Sequence, residues 1–71
     1  MHRRAVDSRQ LSSIGYDPAT LTLEVEFRKG GVYQYVGVSA ETHEQMMTAQ
    51  SIGTFFNTVI REGGFAYIRL R

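Results

Sequence analysis

The chain has 71 residues, enough for one small domain, and its 42% hydrophobic and 21% charged residues are typical of a sequence that folds. It has no cysteine, which excludes disulfide bonds and thiolate zinc sites, and no apolar run approaching the ~20 residues of a membrane span. The net charge is +1, yet residues 1–10 and residues 61–71 each carry three arginines against one acid, so a basic patch forms if the two ends meet.

The first half of the chain predicts an arm followed by two strands. Residues 1–10 are polar and show no period, so we expect a flexible N-terminal arm before a single domain over residues 11–71. Residues 11–16 form a short strand that stops before Pro18, because proline fixes its own φ and restricts the residue before it. Residues 20–28 alternate polar and apolar side chains, which is typical of a half-buried strand; its apolar face carries Leu21, Leu23, Val25 and Phe27.

A β-hairpin follows, and its loop length decides which way two tyrosines point. A two-residue loop, Lys29-Gly30, leaves Tyr33 and Tyr35 of the next strand, residues 32–36, on the outer face of the sheet. A loop of three residues puts both tyrosines inside, because a one-residue shift of register exchanges the two faces. We favour the two-residue loop, because it joins the valines of this strand to the apolar face.

The second half predicts two helices and a last strand. Ser39 is suited to cap a helix over residues 40–50 that carries half-buried His43, and Ser51 to cap a second helix. The second helix has apolar residues at i, i+3, i+4, i+7 and i+8, namely Ile52, Phe55, Phe56, Val59 and Ile60. Residues 65–70 predict the last strand, because Ala66, Ile68 and Leu70 alternate with side chains of the opposite face. The predicted fold is α+β, a small antiparallel sheet packed against two helices in the order β-β-β-α-α-β.

No catalytic or metal-binding constellation is evident. Two histidines without cysteine cannot supply the three or four ligands of a metal site, and no nucleophile motif surrounds any serine. Glu24 and Glu26 share a strand face predicted to be wet, where carboxylates seldom acquire catalytic pKa values. We therefore expect a non-enzymatic cytoplasmic protein that uses no metal and no cofactor and does not enter a membrane.

The predicted outer face of the sheet resembles a platform for unpaired bases. Aromatic rings can stack on bases while basic side chains contact phosphates, and the residues predicted for these roles are Tyr33, Tyr35, Tyr67, Arg28, Lys29, Arg61 and Arg69. Asn57 and Arg61, one helical turn apart, form a possible recognition pair. Glu24 and Glu26 would repel phosphate from this face, and the alternative for the tyrosines is cross-strand packing.

Four segments occur in order: residues 12–17 (SSIGYD), 23–27 (LEVEF), 31–35 (GVYQY) and 51–57 (SIGTFFN), the last continuing to Ile60-Arg61. Together they resemble the KTSC domain family, which takes its name from the C-terminal extension of some lysyl-tRNA synthetases and also includes small stand-alone bacterial and phage proteins. This chain departs from the family at Ser39, where proline is usual, and at Gly63-Gly64, which intervene before the last aromatic residues.

The resemblance implies a module of unsettled function for which RNA binding has been suggested. We accordingly expect a partner that is RNA or another single-stranded nucleic acid, bound through the tyrosines and basic residues. The alternative is a protein-interaction or homodimerisation domain in which the tyrosines and the exposed sheet edge contact a protein partner or a second copy.

Overall fold

The chain forms a five-stranded antiparallel sheet with its helices against one face. The computed structural model describes all residues, 1–71. The strands are β1 (Arg4–Ala5), β2 (Leu11–Asp17), β3 (Thr22–Phe27), β4 (Val32–Val36) and β5 (Ala66–Arg69), and they lie side by side in that order. Between β4 and β5 come α1 (Ala40–Thr48) and α2 (Ile52–Phe55), and α2 continues into a π-helical segment, Phe56–Arg61. No helix reaches the length and apolarity that crossing a membrane requires.

The predicted α+β class is confirmed, but four strands precede the helices where the sequence predicts three. The additional strand lies in residues 1–10, where Arg4 pairs with Ile14 and Ala5 with Ser13. Residues 1–10, expected to form a flexible arm, therefore contribute the edge strand β1. Backbone hydrogen bonding explains the difference, because the open edge of β2 can pair with any extended segment, whether or not its side chains show a period.

The hairpin between β3 and β4 has the register that we did not favour. Glu26 pairs with Val32 and Leu23 with Tyr35, so three residues, 28–30, lie beyond the last pair, Phe27 and Gly31. Gly30 and Gly31 both have positive φ, at 105° and 95°, so the turn uses both glycines rather than one. The two-residue loop is thus wrong, and the tyrosines face the helices.

This register also explains the core. Tyr35 is only 5% exposed and packs edge-on against Phe56, with ring centroids 5.5 Å apart. The buried cluster joins three strands to both helices and consists of Leu11, Ile14, Leu23, Val25, Tyr35, Val38, Met46, Phe56 and Ile60. Fully burying a side chain of this size contributes roughly 1.5–3 kcal/mol, so the cluster is the main source of stability.

The outer face of the sheet is covered at β2 and β3 by the start of the chain. The Arg3 side chain crosses Gly15, forms an ion pair with Glu24 and donates to Ser13 Oγ at 2.8 Å. Glu24 is 3% exposed and also accepts a hydrogen bond from Gln34, at 2.8 Å. Burial alone raises the pKa of Glu24, but the hydrogen bonds from Gln34 and Arg3 and the charge of Arg3 outweigh it and lower that pKa. The expected wet face is therefore wrong at Glu24.

Both helix starts have the predicted caps. Ser39 Oγ accepts from the Thr42 amide at 3.1 Å, and Ser51 Oγ accepts from the Thr54 amide at 3.2 Å. His43 is half-buried, as predicted, and its ring stacks on Tyr16 at 4.4 Å with the planes 9° apart.

Candidate functional site

A cleft of about 620 Å³ opens between the hairpin loop, the arm and the end of the π-helical segment. We call it the basic cleft. Its lining comprises Arg9 and Gln10 from the arm, Phe27 and residues 28–30 from the hairpin, Tyr33, Tyr35 and Tyr67 from the strands, and Arg61 from the end of the helix.

The basic cleft has four cationic side chains and no acidic one. Arg9, Arg28, Lys29 and Arg61 line it. The ion pairs of the molecule are those of Arg3 with Glu24 and Glu26, so none of the four has a carboxylate within 4.0 Å. Uncompensated positive charge gathered in a concave site favours an anionic ligand, because low-dielectric walls focus the field.

The arm reaches the cleft because the hairpin loop binds it. The Arg28 amide donates to the Gln10 carbonyl at 2.8 Å, and Arg28 Nε donates to the Ser8 carbonyl. Ser8 Oγ in turn accepts from the amides of Gln10 and Leu11. This bridge places Arg9 beside the cations of the hairpin loop and the helix end.

The three tyrosines of the cleft present different groups to a ligand. Tyr67 is 60% exposed and lies 5.4 Å from Tyr35 and 6.1 Å from Tyr33 between ring centroids. Tyr33 packs edge-on against Phe27, and the Arg69 guanidinium lies 5.6 Å from its ring centroid. Tyr35 is almost fully buried, and this burial raises its pKa. Tyr67 is therefore the ring most open to stacking.

Most of the predicted site residues come together, although on the opposite face from the predicted one. Tyr33, Tyr35 and Tyr67 lie on the helix side of the sheet, and six predicted residues line the cleft: Tyr33, Tyr35, Tyr67, Arg28, Lys29 and Arg61. Arg69 stands beside them over Tyr33. The grouping survives the register error because alternate residues of a strand share a face in either register.

The predicted recognition pair is not brought together on one surface. Arg61 lines the basic cleft, whereas Asn57 lines a separate depression and donates to Gln10 Oε1 at 3.0 Å. Gln10 of the arm lines both the basic cleft with Arg61 and the depression with Asn57.

The sequence also missed four lining residues, Arg9, Gln10, Phe27 and Gly30. The signal for Arg9 was the excess of arginine at both ends of the chain, since Arg9 and Arg61 come from those two ends and meet in the cleft. No local pattern indicated Gln10 or Phe27.

Residues 7–65 match the family model described as the KTSC domain. The chain belongs to the KTSC domain family. A solved KTSC domain protein from Yersinia pestis is 43% identical to it and superposes with a TM-score of 0.92, covering 99% of this chain and 97% of that one. An uncharacterized protein of Stutzerimonas stutzeri is 40% identical over 99% of both chains. A lysine–tRNA ligase of Nostoc is 38% identical over 78% of this chain, a match covering 10% of that enzyme.

Chemically, the basic cleft of this KTSC domain is suited to holding an anion beside a planar ring. Its lining has no histidine, carboxylate, serine or cysteine, the side chains that most often transfer protons or attack as nucleophiles. It offers guanidinium and ammonium donors together with aromatic surface.

Proposed function

We propose that this KTSC domain is a non-catalytic module that binds single-stranded nucleic acid, RNA in particular, in the basic cleft. The observation that carries the proposal is the meeting of four cations without carboxylate partners and an open tyrosine ring in one concave site. Proteins that bind single strands combine the same two elements, a positive groove for the backbone and aromatic rings for the bases.

The acidic residues that were expected to repel nucleic acid lie on the other face of the sheet. Glu24 and Glu26 are paired with Arg3 there, while Tyr33 and Tyr35 point towards the helices. Carboxylates on the far face and already paired repel a phosphate backbone much less than carboxylates among the tyrosines would. This arrangement supports the proposal.

The choice of RNA draws on a relative. The Nostoc protein that contains a related segment is named a lysine–tRNA ligase, an enzyme that acts on an RNA. Proteins that bind single-stranded RNA without sequence preference stack its bases on aromatic side chains, and the cleft offers such a side chain in Tyr67.

The test is the anisotropy of a short, unstructured, labelled RNA titrated with the protein at low and at physiological salt. We expect binding that weakens as salt rises, because bound cations release counterions from the phosphates. Arg61→Gln should weaken binding and reduce the log–log salt slope by about 1, because Arg61 lines the cleft without holding the arm. Tyr67→Ala should cost about 1–3 kcal/mol of binding free energy with the slope unchanged.

Arg4→Gln is the matched control, because it removes the same charge from exposed β1, outside the cleft. Equal weakening by Arg4→Gln and Arg61→Gln would show that general charge attraction, not the cleft, holds the RNA. Absence of binding at low salt would reject the proposal.

The second candidate function is interaction with a protein partner or a second copy, and exposed apolar residues favour it. β5 is an edge strand, and Val36, Ile68 and Leu70 are exposed on or next to it. Ile68 and Tyr67 point to opposite faces of the sheet. Ile68→Glu should therefore abolish any concentration-dependent increase in size measured by sedimentation and leave RNA binding unchanged.

A further inference from the structure

The charge in the basic cleft exceeds what one internal nucleotide brings. A phosphodiester carries one negative charge, whereas a terminal phosphate carries about −1.5 to −2 at neutral pH and has additional acceptor oxygens. Arg9, Arg28, Lys29 and Arg61 bring four positive charges to one cleft whose lining has no acid. The terminal phosphate is the better match, because its additional charge and acceptor oxygens can accept charge-assisted hydrogen bonds from more of the four cations.

The size of the site points to one nucleotide. The cleft of about 620 Å³ lies in the range of sites that enclose a single small ligand. Tyr67 is the one ring with most of its surface exposed, since Tyr35 is buried and Tyr33 is packed by Phe27 and Arg69. One open ring accommodates one base.

The position of the cations relative to Tyr67 is consistent with this occupant. Arg28 and Lys29 lie in the hairpin loop, which binds the arm and so holds Arg9 next to them. Tyr67 lies on β5, opposite Tyr35 of β4. The phosphate and the base of one nucleotide would then contact different walls of the cleft, the loop and arm on one side and the edge strand on the other.

We infer that the cleft receives a phosphorylated strand end, a single unpaired nucleotide whose base stacks on Tyr67 and whose terminal phosphate lies among the four cations. The inference rests on the proposed function and narrows its ligand from any single strand to a strand with a terminal phosphate. The same nucleoside monophosphate group also occurs in free nucleotides, so the test has to separate the two sources.

The test compares one short RNA with hydroxyl ends, the same RNA with a 5′-phosphate, the same RNA with a 3′-phosphate, and the free nucleoside monophosphate. Calorimetric titration measures each affinity. We expect one phosphorylated RNA to bind at least about tenfold more tightly than the hydroxyl-ended RNA, as one charge-assisted hydrogen bond would provide. The free monophosphate should bind more weakly than that RNA, because it lacks the adjoining phosphates, which the net positive charge of the protein also attracts.

Two variants separate the phosphate from the base. Lys29 is an exposed loop residue, and Lys29→Gln should reduce the ratio of the affinities for phosphorylated and hydroxyl-ended RNA. Tyr67→Ala should weaken phosphorylated and hydroxyl-ended RNA by the same factor and keep the preference. The amide proton–nitrogen NMR spectrum of each variant shows whether it is folded, so that a lost preference is not mistaken for a lost fold.

The pH gives an independent readout. The second pKa of a terminal phosphate is about 6, so acidification through that value should weaken the phosphorylated RNA and leave the hydroxyl-ended RNA unchanged. The lining of the cleft has no histidine or carboxylate that would titrate in the same range.

The outcomes separate the two levels of the proposal. Equal affinity for phosphorylated and hydroxyl-ended RNA overturns the end-specific inference and leaves the proposed single-strand binding standing. Binding of the free monophosphate without binding of any RNA overturns both. Tight binding of a phosphorylated end that Lys29→Gln loosens and acid weakens supports the inference.

Discussion

At the scale of single residues, burial decides what each aromatic side chain can do. Tyr35 and Tyr67 pair across neighbouring strands, yet one is part of the core and the other is mostly exposed. Tyr16 is held by its hydroxyl, which donates to the Val38 carbonyl at 2.6 Å, and its ring then supports His43. Chemically similar rings thus serve as core, as exposed surface of the cleft and as support for α1.

His43 makes the stability of this domain sensitive to pH. Burial lowers its pKa from the ordinary 6.5, with the nearby Glu44 opposing the shift, so the folded state favours the neutral ring on Tyr16. The unfolded chain then binds a proton more readily than the folded one, and the contribution of His43 is complete above pH 6.5 and lost as the pH falls below it.

We expect the free energy of unfolding in urea to decrease on acidification through 6.5, and His43→Phe, which keeps a flat ring, to remove that part of the decrease. An unchanged pH profile in His43→Phe would show that another group is responsible.

At the scale of elements, the arm is an integral part of the sheet. β1 pairs with β2, Arg3 covers Glu24, and residues 8–10 bind the hairpin loop. Gly15 permits this packing, because a Cβ there would lie 2.7 Å from the His2 carbonyl oxygen and 3.1 Å from Arg3 Cγ. A backbone atom is the nearest neighbour, so the arm itself would have to move.

Gly15→Ala should destabilise the fold by about 1–3 kcal/mol, the usual cost of overpacking, and speed hydrogen exchange at the Val6 amide, which donates to Ser12 at 3.2 Å. A double-mutant cycle with a chain lacking residues 1–3 isolates the cause. In that shortened chain the substitution should cost much less. The same cost in both chains would place the strain elsewhere.

At the scale of the whole molecule, Phe56 joins the helices to the sheet. Its fully buried ring packs edge-on against Phe27 and Tyr35, with centroids 5.6 and 5.5 Å away. Both partners also line the basic cleft. The core and the candidate site therefore share one set of contacts, and loosening the first should loosen the second.

Phe56→Ala should destabilise the protein by about 3–5 kcal/mol. That is a large share of the ~4–11 kcal/mol expected for a chain of this length. Calorimetric unfolding measures the loss, and Phe56→Leu should recover most of it by refilling the cavity. Phe55→Ala is the matched control, because Phe55 is only half-buried and should cost less. Equal losses for both alanine variants would contradict the central position of Phe56.

The elements that the sequence predicted correctly are those with a strong local period. Alternation over residues 20–28 predicted β3, the spacing from Ile52 to Ile60 predicted the second helix, and Ser39 and Ser51 marked the helix starts. The candidate cleft could be predicted in part, because residues two apart on a strand stay together whichever face they occupy.

The remaining features were decided by contacts between segments far apart in the chain. Two adjacent glycines allow two loop lengths, and the burial of Tyr35 against Phe56, 21 residues away by number, accompanies the three-residue loop. The arm has no hydrophobic period of its own. Its position is set by strand pairing with the open edge of β2 and by the ion pair of Arg3 with buried Glu24. By itself the sequence determined the α+β class, the helix caps and six of the ten residues that line the cleft. Tertiary structure alone decided which face the tyrosines occupy and that Arg9 joins them, because register and edge pairing depend on long-range burial and hydrogen bonding.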